Sequence, residues 1–272
     1  MSTTSISLSE NDLAAYARDG QFTPAQPLPD ALVAEIRDAL AEQIELFDGR
    51  PDFIPLPHVP PAAGDERRVA LARRFFDIVT APALLDLVEQ LIGPDIVMWA
   101  SALFCKPAST GLEVPWHQDG QYWPIRPRAT VTAWIALDDV DRDNGCMRVI
   151  PGSHRMGEFA HEVSDREDLV LNNVLNDPRI NLDDVRDITL RAGQLSLHDV
   201  DIVHGSQPNT SGRRRAGYAI RYMPSTSLYD RRIDPGQASG TVSLDFATRP
   251  IWLVRGIDRH GGNDFKVGHT LW

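Results

Sequence analysis

A histidine and a carboxylate stand two residues apart in Trp116-His117-Gln118-Asp119-Gly120. In extended chain, alternate side chains share a side, so His117 and Asp119 can present an imidazole and a carboxylate to one ion. The triplet alone is weak evidence, because His-x-Asp arises often by chance. A second imidazole stands in Ile202-Val203-His204-Gly205-Ser206, where His204 closes a short apolar run. By itself it reads as a satisfied histidine at a strand end. Together the three residues would make a two-histidine, one-carboxylate face that leaves the other side of an octahedral ion open, the donor set of non-haem Fe(II) oxygenases. The same donors with one open position also suit the zinc of a metal hydrolase, and a non-catalytic binding module could keep such a triad for stability.

Arg215 weighs against the non-catalytic reading. It begins a strand after the turn-rich Gln207-Pro-Asn-Thr-Ser-Gly212. If His204 ends one strand and Arg215 starts its antiparallel partner, the hairpin brings the guanidinium beside the metal. Alternation puts Arg215, Gly217, Ala219 and Arg221 on one face, where Gly217 and Ala219 leave room for a small ligand. A buried guanidinium suits bidentate recognition of a carboxylate. The cosubstrate 2-oxoglutarate offers such a distal carboxylate while its keto-acid end chelates iron. A purely structural metal needs no such anchor. Arg213 and Arg214 read as a solvated basic turn.

These residues need strands to hold them. Ser9 can cap a helix that Gly20 ends, with Leu8 and Leu13 as a hydrophobic staple. From Asp30 to about Leu46, the residues Leu32, Ile36, Leu40 and Ile44 lay one apolar stripe along a longer helix. Two short helices follow, around Arg68 to Ile78 and Pro82 to Ile92, and Gly93-Pro94 stops them. After Pro94 the pattern becomes β-rich: Ile96 to Cys105, Thr130 to Leu137, Met147 to Ile150, Gln194 to Leu197, Ile202 to His204 and Ala216 to Tyr222. Strands of this length, separated by turn residues and preceded by helices, predict a mainly β sandwich or jelly roll with N-terminal helices packed on an outer face. We read 1–272 as one domain: a helical support region over 1–94, a jelly-roll core over 95–225 and a C-terminal tail over 226–272. The acid-rich segment from Arg155 to Asp187 reads as a long insertion between sheet strands, of a length that often serves as a lid or substrate-binding element.

Several separated motifs carry a resemblance. The run His117-Gln-Asp119, Tyr122-Trp-Pro, Arg126-Pro127, Ala133-Trp134 and Asn144-Gly-Cys-Met-Arg-Val-Ile-Pro-Gly-Ser-His154, followed by His204-Gly-Ser, Asn209 and Arg215, resembles the phytanoyl-CoA dioxygenase family over roughly residues 95 to 225. The resemblance implies a double-stranded β-helix (cupin-like) fold and an Fe(II) enzyme using 2-oxoglutarate and O2, releasing succinate and CO2. It implies His117, Asp119 and His204 as iron ligands and Arg215 as the anchor of the cosubstrate's distal carboxylate. Trp134 would line that pocket, while also reading as a core aromatic, and Ser206 is a candidate for a cosubstrate hydrogen bond. Related halogenating enzymes replace the carboxylate ligand with a small residue, whereas Asp119 is kept here, which favours hydroxylation, desaturation or cyclisation. Family members can place a lysine near the cosubstrate; Lys106 is either that or, by its position, a strand-end surface lysine. Gly152 and Ser153 read as a tight turn, His154 as a peripheral residue and His198 as a structural histidine. Candidate substrate contacts are Tyr122, Trp123, Arg126 and Arg221, the insertion after His154 and the tail beyond Tyr222. The family name does not set the substrate, beyond a small molecule.

Composition limits the alternatives. A formal net charge of -11 argues against a surface built for nucleic-acid phosphates. The N-terminus lacks a basic start followed by an apolar run, and no apolar stretch is long enough to span a bilayer, so a cytoplasmic protein without a membrane partner is expected. Cys105 and Cys146 are too few for a disulfide framework and read as buried small hydrophobes. Asn209-Thr210-Ser211 is a formal glycosylation match that reads as chance. Oligomeric state is not legible.

Overall fold

Local signals account for the helices. In the computed structural model, which describes residues 6–48, 50–61, 65–233 and 245–269, Ser9 and Asp12 form a reciprocal capping box at the start of α1 (Glu10–Asp19). Gly20 ends that helix at φ 75°. In α2 (Asp30–Leu46), Ile36 and Leu40 are fully buried and Leu32 and Ile44 pack partly buried beside them. α3 (Glu66–Val79) starts two residues before the expected Arg68 because Asp65 caps it, accepting from the backbone N–H groups of Arg67 and Arg68. α4 (Pro82–Ile92) carries Pro at its first position, where the missing N–H costs nothing. Among the described residues no helix is long and apolar enough to cross a membrane.

The strands are, in chain order, β1 (Gln21–Phe22), β2 (Ile54–Pro55), β3 (Ile96–Lys106), β4 (Val114–His117), β5 (Ile125–Arg126), β6 (Val131–Ala136), β7 (Met147–Val149), β8 (His161–Val163), β9 (Asn173–Leu175), β10 (Arg186–Ile188), β11 (Leu195–Asp199), β12 (His204–Ser206), β13 (Arg215–Pro224), β14 (Leu228–Tyr229) and β15 (Trp252–Arg255). The larger sheet has the order β1-β11-β6-β13-β3-β15, with β2 also on β3, and the smaller sheet has the order β10-β7-β12-β4. Every pairing in both is antiparallel. This is a jelly roll.

Alternation sorts the larger sheet's side chains. Val131, Ala133 and Ile135 of β6, with Ala216, Tyr218, Ile220 and Tyr222 of β13, join a core that includes Leu84, Leu87 and Val88 of α4. Their neighbours Trp134, Ala136 and Ala219 turn the other way and pack with Met147 and Val149 of the smaller sheet. One sheet thus has two buried faces: helices cover one, and the second sheet covers the other.

Two expectations are corrected. His204 opens β12 rather than closing a strand. β12 and β13 are not hairpin partners, for β12 pairs with β4 and β7 while β13 pairs with β3 and β6. The connection between them crosses from one sheet to the other. The buried amide of Asn209 holds this crossing, donating to the carbonyl oxygens of Lys106, Pro107 and Arg213 at 3.3, 2.9 and 2.7 Å. A side chain so engaged is no glycan acceptor.

Candidate metal centre

His117 and His204 are directly opposed across the β4–β12 pair, the arrangement that brings side chains of neighbouring strands closest. Their ring centroids lie 4.2 Å apart. Asp119 follows His117 after one extended residue, Gln118 (φ -113, ψ 128), so its carboxylate returns to the same side. One ligand atom from each of His117, Asp119 and His204 lies within 4.8 Å of the other two, and all three residues are buried.

The backbone sets the tautomers. His117 Nδ1 is 2.8 Å from the Pro115 carbonyl oxygen, and His204 Nδ1 is 3.1 Å from that of Ile202. A carbonyl can only accept, so each Nδ1 carries the proton and each Nε2 presents its lone pair. Those Nε2 atoms face the carboxylate, at 3.5 Å from His117 to Oδ1 and 3.9 Å from His204 to Oδ2. Burial, then the neighbouring His117, pushes His204 down to about 4, which leaves it a neutral ligand at neutral pH. Burial would raise the Asp119 carboxyl, but the imidazoles of His117 and His204 beside it, which can take up a proton in its place, and the charge of Arg221 outweigh that and hold it below the usual carboxylate range. Two imidazoles and one carboxylate fit a divalent first-row metal.

The triad opens into a cavity of about 1090 Å³, part of it continuous with solvent, between the two sheets. Trp134, Ser206, Arg215, Tyr122, Trp123 and Arg221 line it with the triad. Arg215 is 3 % exposed, and its Nε has no hydrogen-bond partner among the described residues. Its guanidinium lies over Trp134, 4.8 Å from the ring centroid. Burial pushes Arg215 down to about 10. A buried cation without a paired anion is costly unless a ligand supplies the charge. Ser206 Oγ, also buried and without a partner among the described residues, lines the same cavity from the smaller sheet. Arg213 and Arg214 instead pair at the surface with Asp141 and Asp138.

Gly217 differs from expectation. The space it leaves goes to Trp134: a Cβ there would sit 2.0 Å from the indole Cζ2. Gly217→Ala is therefore expected to cost about 1–3 kcal/mol of stability by overpacking, read as a lower denaturant midpoint at unchanged slope. An unchanged midpoint would show that Trp134 moves freely.

Lys106 is no surface lysine. It is 1 % exposed, pairs in register with Arg215, and donates across the sandwich to the carbonyl oxygens of Ser206, at 3.3 Å, and Gln207. Burial, then the charge of Arg215, pushes it down to about 6. Arg126 is exposed and absent from the cavity lining, because alternation in β5 turns Ile125 inward and Arg126 outward; its guanidinium folds back onto the carbonyl oxygens of Trp123 and Ile125. His198 lies on the cavity wall, 5.1 Å from the His204 ring, with its Nδ1 unpartnered. Alternation in β11, which sends Leu195 and Leu197 to the helical side, would have placed it there. His154 is peripheral, its Nε2 near the Ala17 carbonyl.

The insertion folds against the triad. β8 and β9 pair as a hairpin, and Leu171 and Asn173 reach the cavity. Gln118 ties it down: its backbone N–H donates to His161 Nε2 at 3.1 Å, its amide donates to the Gly157 carbonyl at 3.1 Å, and its Oε1 accepts from Phe159 N–H at 2.9 Å. Arg249 and Phe246 also line the cavity, although no local pattern in the tail marks them. The stretches 234–244 and 270–272 of that tail lie outside the described residues.

Residues 16–217 match the family model described as Phytanoyl-CoA dioxygenase (PhyH). The chain is 31% identical over 242 residues to an L-proline trans-4-hydroxylase from Streptomyces griseoviridis, covering 81% of this chain and 88% of that protein. It is 32% identical over 176 residues to a probable alpha-ketoglutarate-dependent hypophosphite dioxygenase from Stutzerimonas stutzeri, covering 57% of this chain and 56% of that one. Against that second relative, the match spans little more than half its length. Among solved structures, the apo non-heme monooxygenase ThoJ superposes with a TM-score of 0.65 at 28% identity, over 92% of this chain and 86% of that one. The non-heme alpha ketoglutarate dependent epimerase SnoN from nogalamycin biosynthesis, at 21% identity and a TM-score of 0.63 over 87% of this chain and 91% of that one, shares the fold. With its jelly roll and the matched span of 16–217, the chain belongs to the phytanoyl-CoA dioxygenase family of Fe(II)- and 2-oxoglutarate-dependent oxygenases.

Proposed function

We propose that this protein is a dioxygenase that hydroxylates, or by further oxidation desaturates or cyclises, a small-molecule metabolite. His117, Asp119 and His204 hold Fe(II), and Arg215 binds the distal carboxylate of 2-oxoglutarate. The observation that carries this reading is Arg215 itself, a buried cation with no counter-ion among the described residues, on the wall of the cavity that the triad shares. Trp134 shapes the cosubstrate end by stacking on the guanidinium, and Ser206 Oγ offers a further hydrogen bond. Two relatives whose names state small substrates, proline and hypophosphite, support a small-molecule substrate. Neither identifies it.

When bound, iron and 2-oxoglutarate supply the oxidising power, O2 being consumed as the cosubstrate is converted to succinate and CO2. The chain's own residues bind, orient and exclude water. The carbonyl-anchored imidazoles fix the ligand face, and Tyr122 and Trp123 wall the substrate side. Gln118 couples the ligand strand to the β8–β9 hairpin, which we read as a cover over the site. A zinc hydrolase would have no use for an Arg215 so placed.

Anaerobic protein given Fe(II) and 2-oxoglutarate should develop a visible charge-transfer band, and admission of O2 should yield succinate. No band together with no O2-dependent succinate would overturn the reading. Supplying candidate metabolites should then stimulate succinate release and give products gaining one oxygen or losing two hydrogens.

A further inference from the structure

Resting on the oxygenase reading, we infer that the substrate is an oxyanion with an apolar body, its anionic group held by Arg221 and Arg249. Both line the cavity. Arg249 is 8 % exposed and Arg221 half-buried, and the Nε of each is buried without a hydrogen-bond partner among the described residues. Among the described residues neither side chain has an ion pair. Each guanidinium lies over an aromatic ring, Arg221 over Trp123 and Arg249 over Phe246, both at 5.1 Å from the centroid. Such stacking replaces part of the lost hydration but leaves the in-plane N–H groups unsatisfied.

These two arginines are not a second grip on the cosubstrate. Arg221 stands six residues beyond Arg215 on β13, which is roughly 20 Å along a strand. A five-carbon dicarboxylate anchored at Arg215 and chelating the metal does not reach so far. Charge points the same way. The two positive charges of Fe(II) and the one of Arg215 balance Asp119 and the two carboxylates of 2-oxoglutarate, so the loaded site still leaves Arg221 and Arg249 uncompensated. Among the described residues, Asp119 is the one carboxylate in the cavity lining. Asp245, near Arg249, spends its oxygens on the backbone N–H groups of Ala247 and Thr248 and on the Thr248 hydroxyl.

The site is also built. Arg231 donates to the carbonyl oxygens of Phe246, Ala247 and Arg249 at 3.4, 3.3 and 2.7 Å, and to that of Asp264 at 2.9 Å, which pins the segment that presents Arg249. Two like charges held on the wall of one cavity, near enough that the charge of Arg221 adds to burial in pushing Arg249 down, call for an anion beside them. Trp99, Trp123, Tyr122 and Phe246 then receive a hydrocarbon or aromatic body.

The test is a binding titration under anaerobic conditions on protein loaded with Fe(II) and 2-oxoglutarate, followed by tryptophan fluorescence. Phenylacetate, phenylphosphonate and neutral phenylacetamide are the probes. At least one acid should bind, the amide at least about tenfold more weakly, and the better acid distinguishes a planar from a tetrahedral anion. Arg221→Gln and Arg249→Gln should each weaken the acid by about tenfold or more, the scale of one lost charge-assisted hydrogen bond. Their affinity for 2-oxoglutarate should stay within about twofold. Arg221→Lys and Arg249→Lys, which keep the charge, should retain the preference for acid over amide, and they carry the test if a Gln variant does not fold. Failure of both acids to bind, equal binding of acid and amide, or unchanged acid affinity in the Gln variants would overturn the proposal. The same titration on metal-free protein separates the two readings. Arginine-dependent acid binding without a charge-transfer band sinks the oxygenase reading alone, whereas a band without acid binding sinks this inference alone.

Discussion

Alanine in place of His117, Asp119 or His204 is expected to abolish Fe(II)-dependent succinate formation and to lower Fe(II) affinity by more than about a hundredfold. The scale follows from metal sites generally, where loss of a residue that merely orients a ligand costs about 10–100-fold. Loss of a ligand removes a bond to the ion itself. Asp119 has a further effect, since it is the one anion among the three donors and offsets half the charge of a divalent ion. Folding gives the control. None of the three side chains belongs to the hydrophobic clusters that hold the sheets and helices together, so metal-free variants should still unfold cooperatively. Anaerobic Fe(II) titration and calorimetric unfolding of the same samples measure both. A variant that retains iron affinity and turnover would remove that residue from the ligand set.

Arg215→Met is expected to have opposite effects on binding and on stability. Affinity for 2-oxoglutarate should fall by about a hundredfold or more, because a carboxylate left buried without its partner costs about 3–5 kcal/mol. The cosubstrate-free protein should instead become more stable. Arg215 is 3 % exposed, has no counter-ion among the described residues, and is compensated only by the Trp134 ring. Replacing a buried ionic group with an apolar one of similar length often gains about 1–4 kcal/mol, less the ~0.5–2 kcal/mol of the cation–π contact. A higher unfolding midpoint without 2-oxoglutarate, and a smaller shift when it is added, is the paired signature. Arg221→Ala serves as the contrast: if it weakens 2-oxoglutarate binding while Arg215→Met does not, the assigned ends of the cavity are reversed.

Much of the site was legible because its rules are local. His117 and Asp119 share a side through the period of extended chain, and the same period put Arg215 and Arg221 on the cavity face of β13. The helices were equally readable from caps and stops, since Ser9, Gly20 and Pro82 act within a turn of where they stand. Lys106 was not legible. A lysine at a strand end is ordinarily solvated, and only the approach of the β12 carbonyls across the sandwich makes its burial tolerable. Arg249 was missed for a related reason: in the tail it has no periodic context, and it reaches the cavity because Arg231 gathers the backbone around it.

The three-residue metal face shows the same division. The sequence by itself determined the donors, their chemistry and the pairing of His117 with Asp119, because residue type and backbone period need no distant partner. Tertiary structure alone decided how His204 arrives. It comes not from the far end of a hairpin with β13 but from the opposite sheet, paired with His117 across β4 and β12. Strand pairing between distant segments depends on how both sheets bury their apolar faces, and that is settled by the whole core, not by the few residues around each ligand.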